Sequence, residues 1–463
     1  MRTVIVGGGI AGLAAAYRLT QLVPSEAPWE RPLLVEREAR IGGKLLTEHV
    51  DGFVIEAAAD SFLSRKERGV GLCEELGLRH ELVGRRPEHA RTFVRRGREL
   101  HPLPEGLTGA IPADLDALSE SVLLSAAAKA RLAAEVDIPP DPERGDESVA
   151  DFVSRRLGPE AWANLVEPLV TGIYGGDGAQ LSLQATFPQL RALELEHGSV
   201  LRGLASRPAP ADRFPPFVTL ESGMDMLVRT LSERLEGRIQ AAVGQSAIGL
   251  RRTNDGFVVE LDGRETVEAE SVILAVPAHV AAQLLVHVDR ELAELHAGIT
   301  YASSAIVTLA YREGDVPALD GYGYVVPRAE GTDVLACTWT SRKWVGRAPE
   351  GTVLLRVYAG RFGGRDVTKG RDRELLDLAR EELALFGVSA EPILKRIHRW
   401  PRGMPQYALG HPERLERIDV LLAEHPGLAL AGAAYGGVGV PDCIRSGEDA
   451  AESVVRALAG ARS

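Results

Sequence analysis

The residues best suited to chemistry in this chain are glycines placed where backbone must meet a ligand, and they sit near its two ends. Gly7, Gly8, Gly9, Ile10, Ala11 and Gly12 form G-x-G-x-x-G. They follow the apolar run Val4-Ile5-Val6 and precede the helix-compatible Leu13-Ala14-Ala15-Ala16-Tyr17-Arg18-Leu19. A second apolar run, Leu33-Leu34-Val35, ends on Glu36. This is the strand, turn, helix, strand and acid order of a dinucleotide site. Gly7 allows the tight turn, Gly9 lets backbone approach a pyrophosphate, and Gly12 lets helix and strand pack closely. The helix start offers unpaired N–H groups and the positive end of its dipole to phosphates. Glu36 is placed to accept from both hydroxyls of an adenosine ribose. Arg40-Ile41-Gly42-Gly43-Lys44 reads as a tight turn whose basic residues lie near the pyrophosphate.

The second group is the stretch Leu430-Ala431-Gly432-Ala433-Ala434-Tyr435-Gly436-Gly437-Val438-Gly439-Val440-Pro441-Asp442. An apolar strand here enters the same sheet, and its glycines bring backbone against a flat ligand. Pro441 suits the first turn of a final helix, whose positive end then faces that ligand. A nicotinamide enzyme has no need of such a second, chain-distant loop.

The elements that must position these groups follow from the rest of the chain. At 463 residues, 45% hydrophobic and 25% charged, two or three domains are expected. The net charge of −12 argues against a nucleic-acid partner, because little would drive counterion release. Cys73, Cys337 and Cys443 are far apart and the histidines scattered, which fits a reducing compartment and predicts no metal site. The apolar stretches 4–22 and 272–286 resemble a leader and a short span, but glycines interrupt the first and Pro277, His279 and Gln283 the second. No lipidation signal is read at the chain end. A cytoplasmic protein is expected.

Residues 64–77 predict a helix, 92–94 and 100–103 strands, and 119–136, 147–157, 161–170 and 187–205 a run of helices. Near 218–224 the chain turns into a helix at 225–235. An antiparallel ladder over 241–250, 256–261 and 271–277 then returns to the nucleotide sheet. Alternating runs at 304–311, 322–326, 334–340 and 353–359 predict a second sheet, followed by a helix over 371–386. A strand at 428–433 and a helix at 443–458 close the chain.

With these pieces in place the chain resembles the FAD-dependent protoporphyrinogen/coproporphyrinogen oxidases of the amine-oxidase-like flavoprotein superfamily. The residues that carry the resemblance are Gly7–Gly12, Glu36 with Gly42-Gly43, Gly52-Phe53 with Glu56 and Asp60-Ser61-Phe62, Trp400 with Pro405-Gln406-Tyr407 and Gly410-His411, and the terminal AYGGVGVPDCIRSG. The fold it implies is α/β: a discontinuous Rossmann-like FAD-binding domain, an antiparallel-sheet substrate domain and a helical insert. The corresponding segments are 1–90, 208–278 and 397–463 for FAD, 279–396 for substrate, and 91–207 for the insert with substrate-facing strands.

By the same resemblance Gly7, Gly8, Gly9, Ile10, Ala11 and Gly12 hold the FAD pyrophosphate and Glu36 the ribose. Arg37, Gly42, Gly43 and Lys44 lie near the adenosine and phosphates, and Val243 meets adenine through its backbone. Ala58, Ala59, Asp60, Ser61, Trp400, Ala433, Val438, Gly439 and Val440 border the flavin. The family often has Gly-Pro where this chain has Ala58-Ala59. The implied reaction is stepwise oxidation of a porphyrinogen, with flavin N5 taking hydride, molecular oxygen as acceptor and no catalytic side chain assigned. Arg91 matches a position that pairs with a substrate carboxylate, Tyr358 one that places an aromatic on the tetrapyrrole, and Val325 and Thr338 the pocket wall.

Two substrates differ in charge. Protoporphyrinogen IX carries two propionates and two vinyls, coproporphyrinogen III four propionates. The resemblance to the soluble bacterial type, whose members make coproporphyrin III, together with charges along the insert at Glu120, Lys129, Arg131, Glu135, Glu143 and Arg144, implies coproporphyrinogen III, with at most peripheral membrane contact. Protoporphyrinogen IX is the alternative. Hand-off of the hydrophobic product to a ferrochelatase is a transient partnership the chemistry suggests. A flavin amine oxidase, a carotenoid desaturase and a non-catalytic carrier like the Rab GDP-dissociation inhibitors remain open on the same scaffold.

Overall fold

A computed structural model describes residues 2–23, 30–108, 110–112, 114–206 and 213–460. The expected boundary between 207 and 208 and the chain end read for a lipidation signal lie outside these residues.

Five all-parallel strands form the first sheet, in the order Gln240–Val243, Leu33–Glu36, Thr3–Val6, Ser271–Leu274 and Leu428–Leu430. Val4, Ile5, Leu34, Val272, Ile273 and Leu274 are completely buried, the run of apolar residues expected of strands covered on both faces. Because all five run the same way, Val6, Glu36, Val243, Leu274 and Leu430 end along one edge. That carboxyl edge is where an open parallel sheet takes its ligand.

Helix Ile10–Leu22 follows the first strand and buries Ala11, Gly12, Leu13, Ala14, Ala15, Ala16 and Leu19. Small residues let the last helix, Val440–Gly460, approach it backbone to backbone. A Cβ on Gly447 would stand 2.1 Å from the Ala11 carbonyl oxygen, and one on Gly12 only 1.9 Å from that of Gly7. The two chain ends therefore meet where Gly447 admits no side chain, and Gly12 seats the first helix on its own glycine turn.

The second sheet has seven strands, in the order Leu394–Pro405, Tyr301–Arg312, Thr352–Ala359, Val334–Trp339, Gly323–Val325, Phe93–Arg96 and Glu99–Pro102. It is antiparallel except where Gly323–Val325 meets Phe93–Arg96 in parallel. Val307, Leu309, Tyr324, Cys337 and Val357 pack one face against Leu375, Ala379 and Leu383 of helix Asp372–Ala384. Strand alternation turns Ile306, Thr308, Val325, Ala336, Thr338, Arg356 and Tyr358 to the opposite face. Leu394–Pro405 belongs to this sheet, and the chain rejoins the parallel sheet at Leu428–Leu430.

Several expected elements are divided by local chemistry. The helix read over 119–136 ends at Ser121 and restarts at Ala126–Ala133, where Ser125 Oγ accepts from Ala128 N at 3.1 Å as an N-cap. The helix over 187–205 breaks at Gly198, φ +71°, into Pro188–His197 and Val200–Ser206. Gly244, φ +79°, splits the strand over 241–250: Gln240–Val243 joins the parallel sheet, and Ala247–Arg252 a three-stranded antiparallel one. The insert helices are tied by a fully buried Arg156–Glu135 pair, whose carboxylate also accepts from Ser199 Oγ and from the N–H groups of Val200 and Leu201. Among the described residues no helix is long and apolar enough to cross a membrane.

Gly12→Ala forces a methyl into backbone. It is expected to cost about 3 kcal/mol or more, the upper end of overpacking penalties, and to lower the thermal midpoint by several degrees. An unchanged melting curve would refute the close approach.

Candidate active site

At the carboxyl edge Gly7 adopts φ +107°, and a Cβ there would lie 2.4 Å from the Ala275 carbonyl oxygen. Gly8 N and Glu38 N each donate to a Glu36 carboxylate oxygen at 2.7 Å, which fixes the carboxylate and leaves it further lone pairs. Gly42 N donates to Gly8 O at 2.7 Å, so the Arg40–Lys44 turn leans on the glycine turn. Gly9 caps helix Ile10–Leu22 with no side-chain bond, and a Cβ on it would meet no atom within 4 Å. Open space thus lies over a helix N-terminus.

Lys44 is exposed at the edge of the turn. Desolvation by the surrounding protein pulls its ammonium below the usual lysine range. Arg37 is exposed and pairs with Glu38 at 2.8 Å. Val243 stands in register with Glu36, beside a cavity of about 550 Å³ lined by Arg40, Ile41, Leu46 and Val228. A carboxylate for a ribose, a bare helix end with cations for phosphates and an apolar cleft for a base together fit a dinucleotide.

Residues 57–61 join the two sheets. Ala57 O accepts from the Trp400 indole at 2.8 Å and Ala58 O from Arg356 at 2.7 Å. Asp60 Oδ2 accepts from Lys343 at 3.0 Å and from the Trp344 indole at 3.2 Å, while Oδ1 accepts from Ser61 at 2.8 Å. Burial alone would raise the Asp60 carboxyl. The Lys343 and Arg356 cations outweigh it and hold Asp60 far below the carboxylate range. Ala58 and Ala59 are held here without the Gly-Pro of the family pattern.

The terminal glycine turn is fixed just as tightly. Tyr407 donates to Ala433 O at 2.6 Å and accepts from Gly437 N at 2.9 Å. Ser446 Oγ accepts from Gly432 N at 3.0 Å, and Asp442 accepts from Gly439 N at 3.1 Å and from Lys66 at 2.6 Å. Tyr407 stacks on His411 with ring centroids 4.4 Å apart, and burial drives that imidazole down to about 4. Val438 of this turn and Val325 of the seven-stranded sheet both pack against the insert's apolar cluster around Val170 and Tyr174.

The free face of the seven-stranded sheet carries the remaining candidates. Arg356 lies over the Tyr358 ring at 5.1 Å. Tyr358 is enclosed, which pushes its hydroxyl up to about 12 and keeps it neutral. Arg356 Nε and Thr308 Oγ1 are buried with no hydrogen-bond partner among the described residues. Arg91 stands apart from this face: its side chain is 66% exposed and pairs with Asp320 at 3.3 Å. Spacing did not single out Lys343, Trp344 or Arg356: sheet pairing brings Arg356 to the site, and the helix Thr340–Lys343 after strand Val334–Trp339 brings the other two. Tyr407 lay within a quoted motif, and its two turn-closing bonds emerge only from the fold.

A family model described as flavin containing amine oxidoreductase matches residues 10–455, and the chain belongs to this family. Its cofactor is a flavin, and the cradle at the carboxyl edge fits FAD. Among its relatives, coproporphyrinogen III oxidase of Bacillus subtilis (strain 168) is 35% identical, with 98% of each chain covered. Chloroplastic protoporphyrinogen oxidase 1 of Arabidopsis thaliana is 28% identical over 97% of this chain and 87% of its own. A crystal structure of a protein provisionally described as a protoporphyrinogen oxidase, from Exiguobacterium sp. 255-15, superposes with a TM-score of 0.86. That protein is 34% identical, with 98% of each chain covered.

Two outcomes are expected. Gly9→Ala keeps the wild-type melting curve but weakens FAD binding at least about tenfold, because its methyl enters only the cradle; FAD titration of the apoprotein checks this. His411, neutral in the fold, contributes stability that is full above the unfolded imidazole value of 6.5 and drains as pH falls towards about 4. His411→Phe should therefore flatten the loss of thermal stability across that window relative to wild type.

Proposed function

We propose that this protein oxidises coproporphyrinogen III to coproporphyrin III, using FAD and passing the electrons to oxygen. The observation that carries this reading is the 35% identity to the Bacillus subtilis coproporphyrinogen III oxidase across 98% of both chains. The site is consistent with it.

The bound flavin supplies a two-electron acceptor that oxygen regenerates. The chain's own task is placement. Ala433, Val438, Gly439 and Val440 with residues 57–61 form the border of one plane, and Tyr358, Thr338 and Val325 offer a second on which a flat macrocycle can lie. Tyr358 is neutral near pH 7 and Asp60 is already bound by Lys343 and Trp344, so neither serves as a free base. Neither is available to take the proton lost from a macrocycle nitrogen. Arg91, on the exposed rim, can exchange Asp320 for a substrate carboxylate, since a pair this exposed is weak. Cytoplasmic location and product hand-off to a ferrochelatase belong to the same reading.

Anaerobic mixing of the yellow holoprotein with each porphyrinogen tests it. Flavin absorbance is expected to bleach faster with coproporphyrinogen III than with protoporphyrinogen IX. Equal rates, or faster bleaching with the divinyl substrate, would overturn the choice of coproporphyrinogen III.

A further inference from the structure

The residue that spacing gave no reason to notice is Arg85. It follows strand Leu82–Gly84, which pairs with Phe217–Leu220; that strand pairs in turn with Phe62–Leu63, directly after Asp60-Ser61. The guanidinium is clamped between two aromatic rings, 4.9 Å from the Phe217 centroid and 4.9 Å from that of Tyr322. Such a sandwich orients a cation strongly. It has no hydrogen bond and no carboxylate partner among the described residues, although the chain carries 65 Asp and Glu against 53 Lys and Arg. The side chain is half-buried, and burial lowers its pKa.

Its surroundings are part of the site already described. Arg86 N donates to Lys343 O at 3.0 Å, and Lys343 is the residue that binds Asp60. Tyr322 donates through its hydroxyl to Arg86 O at 2.7 Å and through its N–H to Arg91 O at 2.7 Å. Tyr322 O accepts from Trp339 N, next to Thr338 of the pocket face. One tyrosine thus separates two cations, Arg91 on the rim and Arg85 deeper, at the end of the sheet where Thr338 stands. A half-buried guanidinium held by ring faces keeps its N–H fork free, and the ligand that completes such a fork is a carboxylate.

We propose that Arg85 receives a propionate carboxylate of the substrate and helps the site prefer a tetracarboxylate over a dicarboxylate macrocycle. This inference rests on the porphyrinogen reading and adds a residue to it. A carboxylate bound there forms charge-assisted contacts in a screened position, whereas Arg91 acts from water.

The test is steady-state oxidation of coproporphyrinogen III and protoporphyrinogen IX by wild type, Arg85→Ala and Arg85→Lys, with a fluorescence titration of coproporphyrin III into each. Flavin absorbance and melting curves establish that each variant is folded and loaded. Arg85→Ala is expected to raise KM for coproporphyrinogen III about tenfold or more and the Kd for coproporphyrin III comparably, with a smaller rise for protoporphyrinogen IX. Arg85→Lys keeps the charge and should recover part of the loss. Unchanged KM and Kd in a folded Arg85→Ala overturn this inference alone, as does an equal loss for both substrates. A wild-type holoprotein that oxidises neither porphyrinogen overturns the functional reading, and the inference with it.

Discussion

The constraint on which the molecule depends is backbone against backbone where its first and last helices cross. Gly447 on Ala11 leaves no room for a methyl group there, and Gly12 on Gly7 leaves none between the first helix and its own glycine turn. A helix pair this close makes residues from opposite ends of the chain immediate neighbours. The glycine turn after the first strand and the glycine turn before the last helix then lie along one sheet edge. Parallel pairing does the rest, since all five strand ends must point the same way. Gly7–Gly12, Glu36, Val243 and the terminal turn are collected there by topology rather than by proximity in sequence.

A second constraint couples that edge to the substrate side. Residues 57–61 carry few side chains of their own, and what fixes them comes from the other sheet, the Trp400 indole and the Arg356 guanidinium, and from the Lys343 ammonium of the short helix Thr340–Lys343 that follows strand Val334–Trp339. A buried carboxylate such as Asp60 is tolerated only because two cations and two further donors complete it. The segment proposed to border the cofactor and the face proposed as the pocket wall are thus parts of one network. A displacement of Arg356 would move both the Ala58 carbonyl and the ring face of Tyr358. The pocket needs no added catalytic group to be specific. The oxidising power comes with the cofactor, and the protein decides what can lie flat beside it.

How much of this was legible beforehand follows from what sequence can encode. The nucleotide half was readable because each of its glycines does one local job, and Glu36 closes the strand that the pattern demands. Helix Asp225–Leu235 was readable for the same reason, its apolar period being unbroken. Failures fall where one short-range feature redirected the chain. Ser125 recaps an alanine-rich run, Gly198 breaks another, and Gly244 sends two halves of one apolar stretch into different sheets. The pairing of Leu394–Pro405 with Tyr301–Arg312 carried no local signal, because strand partners are chosen by long-range packing. The Asp60 cluster and Arg85 were invisible for a related reason: Lys343, Arg356, Phe217 and Tyr322 lie far apart in sequence and meet only once the sheets are built.

The account is tested most directly by measuring the FAD dissociation constant of folded Gly447→Ala apoprotein against wild type. Residue 447 lies within the last helix, on its face against Ala11, and is not among the residues that would touch the cofactor. If the helix crossing sets the distance between the two glycine turns, the added methyl separates them, and affinity should fall at least about tenfold while the far-ultraviolet spectrum stays native. Full affinity in a folded Gly447→Ala protein would contradict the claim that the meeting of the chain ends builds the site.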